Sequence, residues 1–495
     1  MLKYSDDILG ETVLKSKAPL IEAIENYGKA QVYPLHTPGH KGGRGAAESL
    51  QQLLGKTALT CDVSLMEELD DIHEPTTYIK EAQNLAAELY GAEETFFAPN
   101  GTTGAIHGML LGALNPHDKV LVPRNAHRSV FGGLVLAGLV PVYVMPAYNK
   151  EWNLALQITA EQVEQALQQE PEIKGVLLTS PNHYGLAADV EKIAQVAHKY
   201  NAVLLVDEAH GPHLGFSPAL PASALQQGAD AVAQSTHKIL GALTQCSMLH
   251  IKSKYIKQEQ MAAAMSLVTT TSPNNLLLAS LDAAREQMAS SGRTMVEAAI
   301  HASNILREHL QNISGVRVLA QELIGLGGVV ALDTTKVTIN VTGLGLTGVE
   351  AGQALRQAGI AVELVDATNV LFLVTYADNH PQWQDVVHKI CQTLEDVRKQ
   401  APLSTTTELW LELPEKVLSP REAFFATKET IPWEAAAEQI SGEQISFYPP
   451  GIPLLLPGEI ITKKLQAYCQ RMLALGLHLS GPKNHTLETI QVIRK

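Results

Sequence analysis

Two residues define the chemistry this chain can do. Lys238 stands in AQSTHKILG (residues 233–241), directly after Ser-Thr-His and before an apolar run, where a strand end turns into a loop and presents one amine. About 30 residues earlier Asp207 closes the apolar run of VLLVDEAHG (residues 203–211), an interval that fits one helix and one more strand. An acid and an amine at successive strand ends suit pyridoxal phosphate. The amine holds the aldehyde as a Schiff base, and the carboxylate keeps the pyridine nitrogen protonated so that the ring acts as an electron sink. Most lysines are solvated surface charges; the place of Lys238 one αβ unit after Asp207 argues against that reading here.

Such a pair needs a rigid sheet, and the pattern supplies one. KVLVP, PVYVMP, GVLLTSP and AVLLVD are continuous apolar strands, separated by the helices AHRSVFGGLVLAG, one opened by Thr159 with Gln162 as a capping box, and DVEKIAQVAHKY. This alternation predicts a mostly parallel sheet covered on both faces. Ligands gather at the strand ends of such sheets, where Asn100, His127, Asn182, Asp207 and Lys238 fall. Upstream, Ile79, Ala82, Leu85, Ala86 and Leu89 share one helical face closed by Gly91, TFFA is a short strand, and NGTTG (residues 100–104) sits where a helix begins. Glycines and backbone N–H groups there make an anion site, which with Asp207 and Lys238 becomes a cup for the cofactor phosphate.

The rest of the chain divides around this unit. Residues up to about 32 read as an amphipathic arm with Leu20, Ile21, Ile24 and Tyr27 at helical spacing. YPLHTPGHKGGRG is a loop dense in Pro, Gly, His and basic residues, of the kind that lines sites. Its histidines lack the carboxylate or cysteine that would complete a metal set. After a helical stretch at about 253–312, KVTINVT, a helix opened by Thr347 and Glu350, IAVELVD, NVLFLVTYA and a helix to about 399 form a smaller α/β unit. The polar linker APLSTTTE precedes the last segment, where the prolines of YPPGIPLLLPGE exclude a central strand and predict an extended loop. The expected domains are an arm over 1–35, a large domain over 36–310, a small α/β domain over 311–400 and a C-terminal α+β domain over 401–495.

Composition excludes several classes. Asp and Glu number 51 against 37 Lys and Arg, a net charge of −14 that gives no sign of a nucleic-acid surface. Four scattered cysteines show no CxxC pair, so reduced thiols in the cytoplasm are expected. MLKYSDDILGETVLKSKAPL has no apolar signal core, and the apolar stretch at 132–146 is broken by Pro141, so no secretory signal and no membrane span are expected.

Taken in order, LHTPGHKGG, APNGTTGAIHG, PRNAHRSV, VDEAHGPHLGF, STHKILGALTQ, TTTSPNNLLLASLD, SPREAFFA and YPPGIPLLLPGE resemble the ornithine/lysine/arginine decarboxylases of the aspartate-aminotransferase fold (fold type I). The likeness runs nearly end to end and is strongest to the short, bacillus-type biosynthetic arginine decarboxylases. PGHK begins at Pro38, which leaves no room for the N-terminal wing of the large members. A homodimer or dimer of dimers with the site at the subunit interface is therefore expected.

The resemblance implies that Lys238 is the Schiff-base lysine, Asp207 the partner of the pyridine nitrogen and His127 the histidine stacked on the ring, with Ala209 against the opposite face. It implies a phosphate cup of Thr102, Thr103, Gly104, Ser235 and His237, and assigns Thr271 and Ser272 to the phosphate of the neighbouring subunit. His210 stands where the large members carry an aromatic residue. It joins the cofactor-binding set, although His210 and His213 read equally well as hydrogen-bonded core histidines. Glu459 and Glu422 are candidate partners for a cationic side chain. The implied reaction is decarboxylation of a basic amino acid, arginine to agmatine first, with lysine to cadaverine and ornithine to putrescine open, in a role in polyamine biosynthesis. Another fold type I transferase, or a non-catalytic regulator, are the alternatives.

Overall fold

The structure, a computed structural model, describes residues 17–30, 32–64, 66–403, 412–448, 452–474 and 478–494. The stretch before Lys17, most of the threonine-rich linker and residues 449–451 of YPPG lie outside the described residues.

Helices α1 (Pro19–Lys29) and α2 (Tyr78–Tyr90) precede β1 (Glu94–Ala98) and α3 (Gly101–Ala113). Then follow β2 (Lys119–Pro123), α4 (Arg128–Ala137), β3 (Val140–Val144), α5 (Ala160–Gln169), β4 (Ile173–Thr179), α6 (Val190–Lys199) and β5 (Val203–Asp207). Next come β6 (Ala231–Gln234), the one-turn α7 (Thr236–Ile239), β7 (Ser247–Ile251), α8 (Gln258–Val268) and the long α9 (Asn275–Gln311). The remainder holds β8 (Lys336–Asn340), α10 (Gly348–Gln357), β9 (Asn369–Leu373), α11 (Trp383–Asp396), α12 (Pro420–Phe425), β10 (Lys428–Pro432), β11 (Ile445–Tyr448), β12 (Pro453–Leu455), α13 (Lys463–Ala474), β13 (His478–Ser480) and β14 (Thr489–Ile493). Among the described residues no helix is long and apolar enough to cross a membrane.

The chain gathers into two compact units. One takes the described residues up to Ala113 with Leu205–Pro218 and Ala222–Val296; the other takes Leu114–Leu204, Ala219–Pro221 and everything from Glu297 on.

In the first unit the strands lie in the order β1, β7, β6, β5. β5 and β6 run parallel, with Leu205 opposite Ala231 and Asp207 opposite Ala233, while β7 is antiparallel to both β6 and β1. That reversal brings the start of β7 to the same end as the close of β6. Helix α1 lays Leu20, Ile24 and Tyr27 on a core with Leu69, Ile79, Ala82, Phe97, Met248 and Leu278. Full burial of Leu20 and Ile24 is worth about 4 kcal/mol before entropy. That burial holds an 11-residue helix which would be marginal alone. Its first turn is fixed by the Leu20 N–H, which donates to Asp282 Oδ2 at 2.9 Å. Gly91 closes α2 in the left-handed region at φ 71°.

In the second unit β4, β2 and β3 run parallel, as the apolar runs predict. The capping box foreseen on α5 is present: the Gln162 N–H donates to Thr159 Oγ1 at 3.2 Å and the Thr159 N–H to Gln162 Oε1 at 3.0 Å. Thr159→Ala should therefore cost about 1 kcal/mol of stability, measured by denaturant unfolding with the fold otherwise intact. The small sheet around β8 and β9 has its own core with Leu306, Leu344, Leu355, Val387 and Leu394. Another core forms around Trp433, Phe447, Leu465, Tyr468 and Ile490. Here one expectation is amended. Pro453–Leu455 of YPPGIPLLLPGE is a short strand, β12, not loop throughout; it lies at the edge of the order β12, β11, β13, where a proline forfeits no interior hydrogen bond.

Candidate active site

The end of β5 delivers an acid into an apolar setting. Asp207 is its last residue, 2% exposed, and its Oδ1 accepts the Ala209 N–H at 3.1 Å in a tight turn. The Glu208 N–H donates to Ala233 O at 3.0 Å, which holds this turn against the neighbouring strand.

From β6 the chain passes through Ser235 into α7, which carries Lys238 in one helical turn and not in the loop expected. The Lys238 N–H donates to Ser235 O at 3.1 Å, so the turn is fixed to the strand end. Lys238 Nζ lies 3.1 Å from His210 Nε2. With the amine donating, that ring nitrogen is the acceptor and the other carries the proton. This places His210 beside the candidate lysine. His213 is buried at 1% exposure. His237 is half buried, and burial followed by the charge of Lys238 lowers its pKa, which favours the neutral ring.

Helix α3 carries Thr102, Thr103 and Gly104 of the expected phosphate cup in its first turn. It packs against β6 and β7, and also against α8, where a Cβ on Gly108 would sit 2.3 Å from Met265 Sδ and one on Gly112 would sit 2.6 Å from Met261 Sδ. Only glycine lets the two helices approach so closely. At its start a Cβ on Gly104 would lie 2.9 Å from Asn100 Cβ, too close without a shift of one of them. Thr102 Oγ1 bonds Ser247 Oγ at 2.7 Å and Asn100 Nδ2 donates to Val268 O at 2.8 Å, which pins the helix start at the β6–β7 end of the sheet. The first-turn N–H groups of Thr102, Thr103 and Gly104 carry the partial positive charge of a 13-residue helix. The desolvated Asp207 carboxyl, the Lys238 amine and this glycine-lined helix start are a donor set that fits pyridoxal phosphate.

Thr271 and Ser272 are exposed on the turn between α8 and α9, where the Ser272 N–H donates to Thr270 Oγ1 at 3.2 Å. His127 belongs to the second unit and is the N-cap of α4. Its Nδ1 accepts from the Ser129 N–H at 3.3 Å and lies 2.8 Å from Ser129 Oγ. The ring thus has the capping role and an exposed position together.

The Orn/Lys/Arg decarboxylase major domain matches residues 18–382 of this sequence, and the Orn/Lys/Arg decarboxylase C-terminal domain matches residues 403–486. The chain belongs to the Orn/Lys/Arg decarboxylase family. Within the family it is 38% identical over 481 residues to the arginine decarboxylase of Bacillus subtilis, covering 97% of this chain and 98% of that protein. It is 25% identical to the lysine decarboxylase LdcA of Pseudomonas aeruginosa, covering 90% of this chain and 74% of that one. The lysine decarboxylase LdcF of Francisella novicida has the same fold, with a TM-score of 0.82 at 22% identity over 96% of this chain and 81% of that one. An aspartate aminotransferase of Thermus thermophilus aligns over 77% of this chain and 97% of that one, with a TM-score of 0.51 at 14% identity. The decarboxylase-family fold is thus aspartate-aminotransferase-like, with a central, mostly parallel sheet.

In this decarboxylase-family chain two expected substrate carboxylates have other work. Glu459 is 1% exposed and takes both ends of the Arg124 guanidinium, Nη1 to Oε1 at 2.6 Å and Nη2 to Oε2 at 2.7 Å. A buried guanidinium requires such a partner. Glu422 is the third residue of the Ser419 capping box on α12. Asn182 likewise shapes a turn, its Oδ1 accepting the N–H groups of Tyr184 and Leu186 at 3.0 and 3.1 Å. Sequence reasoning missed Ser247, the hydroxyl that fixes Thr102, because a serine opening an apolar strand carries no signal of its own.

Proposed function

We propose that this chain is a pyridoxal-phosphate-dependent arginine decarboxylase that converts L-arginine to agmatine and CO₂, in the cytoplasm and as a homodimer or dimer of dimers. The observation that carries the chemistry is the pairing of Asp207 and the Lys238 turn on the adjacent parallel strands β5 and β6, with Lys238 against His210. The choice of arginine rests on the 38% identity to the Bacillus subtilis arginine decarboxylase along nearly the whole of both chains.

Lys238 would anchor the cofactor and Asp207 would face its ring nitrogen. Thr102, Thr103, Gly104, Ser235 and His237 would hold its phosphate, and Ala209 would leave room beside the ring. From the family resemblance, His127 is assigned to the ring face, and Thr271 and Ser272 to the phosphate of a second subunit. When bound, the cofactor supplies an electron sink for the pair released as the bond to the carboxylate breaks. The protein's part is to hold charge and protons in place. The Asp207 carboxylate, removed from water, interacts more strongly with a cation than it would in solvent. The Lys238 amine would donate to His210 Nε2 at 3.1 Å, so an exchangeable proton would be at hand for the carbon that has lost its carboxylate. Neutral His237 would add one ring N–H donor without a second charge beside Lys238.

The test is amine and CO₂ release by the purified protein, supplied with pyridoxal phosphate and, separately, with arginine, lysine and ornithine. Agmatine as the dominant product is the expected result. Cadaverine or putrescine in its place overturns the substrate. No product from protein that has taken up the cofactor, with activity appearing on addition of an acyl-CoA, moves the assignment to a transferase.

A further inference from the structure

We propose that Glu208 is a positioning residue for the cofactor seat, the end of a chain of four buried side chains that locks together the strands carrying Asp207 and Lys238. The inference rests on the pyridoxal-phosphate reading above.

Glu208 follows Asp207 directly, one residue beyond the end of β5. Its Oε1 accepts the Ala224 N–H at 2.8 Å and its Oε2 accepts from Gln234 Nε2 at 2.7 Å. Gln234 Oε1 lies 3.1 Å from His250 Nε2, and His250 Nδ1 lies 2.8 Å from Thr95 Oγ1. Glu208, Gln234, His250 and Thr95 are each no more than 1% exposed, and they come in order from the end of β5 and from β6, β7 and β1. The chain therefore crosses all four strands of the first unit. Room for it is specific. A Cβ on Gly211 would lie 2.6 Å from Glu208 Cγ.

Two features make this more than core filling. Its first two links sit next to the candidate site: Glu208 beside Asp207, and Gln234 beside Ser235, four residues before Lys238. Fixing Glu208 to Gln234 fixes the separation of those strand ends, on which the reach from Asp207 and Lys238 to a common ligand depends. The chain also functions without charge. Burial raises the Glu208 carboxyl to about 8 and lowers His250 to about 3, so both are neutral at pH 7. Turning the Gln234 amide over lets a protonated Glu208 donate to it, and Gln234 then donates to His250, which donates to Thr95. Glu208 thereby adds no negative charge next to Asp207 in the chain.

The test is equilibrium binding of pyridoxal phosphate, read from the visible absorbance of the loaded protein, with circular dichroism as the check on folding. Glu208→Gln keeps a neutral group of the same reach and is expected to bind within about twofold of the parent, whereas Glu208→Asp, one methylene shorter, is expected to bind about tenfold or more weakly. Gln234→Met cuts the chain in the middle without adding a charge. It is expected to match the Glu208→Asp loss, and it decides the matter if Glu208→Asp does not fold. Folded Glu208→Asp and Gln234→Met proteins that bind like the parent overturn the positioning role, as does a Glu208→Gln protein as weak as Glu208→Asp. A parent protein that takes up no pyridoxal phosphate overturns the cofactor reading and this role with it, whereas a parent that binds while the variants are unaffected overturns the role alone.

Discussion

Replacing Lys238 by alanine is expected to cut CO₂ release about a thousandfold or more, equivalent to about 4 kcal/mol of transition-state stabilisation. No neighbouring group takes over. His210, the ring nearest the amine at 3.1 Å, cannot form the covalent link that a primary amine forms with an aldehyde. The variant should also lose the visible absorbance of the lysine-linked cofactor. An unchanged melting curve of the cofactor-free protein separates lost chemistry from lost fold, because Lys238 sits on an incompletely buried one-turn helix. A variant that still turned over at the parent rate would sink the assignment of Lys238.

The largest expected effect on stability belongs to Glu459→Ala. Arg124 is wholly buried and spends its guanidinium on Glu459, on Pro453 O at 2.8 Å and on Leu454 O at 3.3 Å, with Tyr143 stacked 4.9 Å from the guanidinium carbon. Glu459 Oε2 also accepts the Leu456 N–H at 2.7 Å. Removing the carboxylate leaves a desolvated cation, at a cost of about 3–5 kcal/mol. Thermal unfolding should show a clearly lowered midpoint. The paired change Arg124→Met with Glu459→Met should recover most of the loss, because an apolar pair of similar volume removes the unpaired charge. Equal stability of Glu459→Ala and the parent would contradict this account.

The features legible in the sequence were those with a local cause. The apolar runs at 119–123, 173–179 and 203–207 became parallel strands because continuous burial leaves a strand no polar face. Thr159 with Gln162, Thr347 with Glu350 and Gly91 became caps because their reach spans one helical turn. Asp207 and Lys238 could be placed at strand ends for the same reason. What escaped were groups whose meaning depends on a distant partner. Glu459 was a candidate for a substrate cation because nothing in the local sequence identifies its partner, which is Arg124, 335 residues away. Glu208 and Gln234 carry no signal in the sequence; they meet only because the strand register sets them against each other. His210 was undecided between core and site, and only the position of the Lys238 turn settled that it touches the amine.

The bond between Arg124 and Glu459 also bears on how the chain is made. At about 5–20 residues per second, a ribosome needs about 20 to 70 s to travel from one residue to the other. For that interval the guanidinium at the end of β2 has neither its carboxylate nor the carbonyls of Pro453 and Leu454. The segment around β2 cannot bury that cation cheaply until the last tenth of the chain has emerged. A chain that stops short of residue 459 is therefore expected to leave the Arg124 cation without its carboxylate.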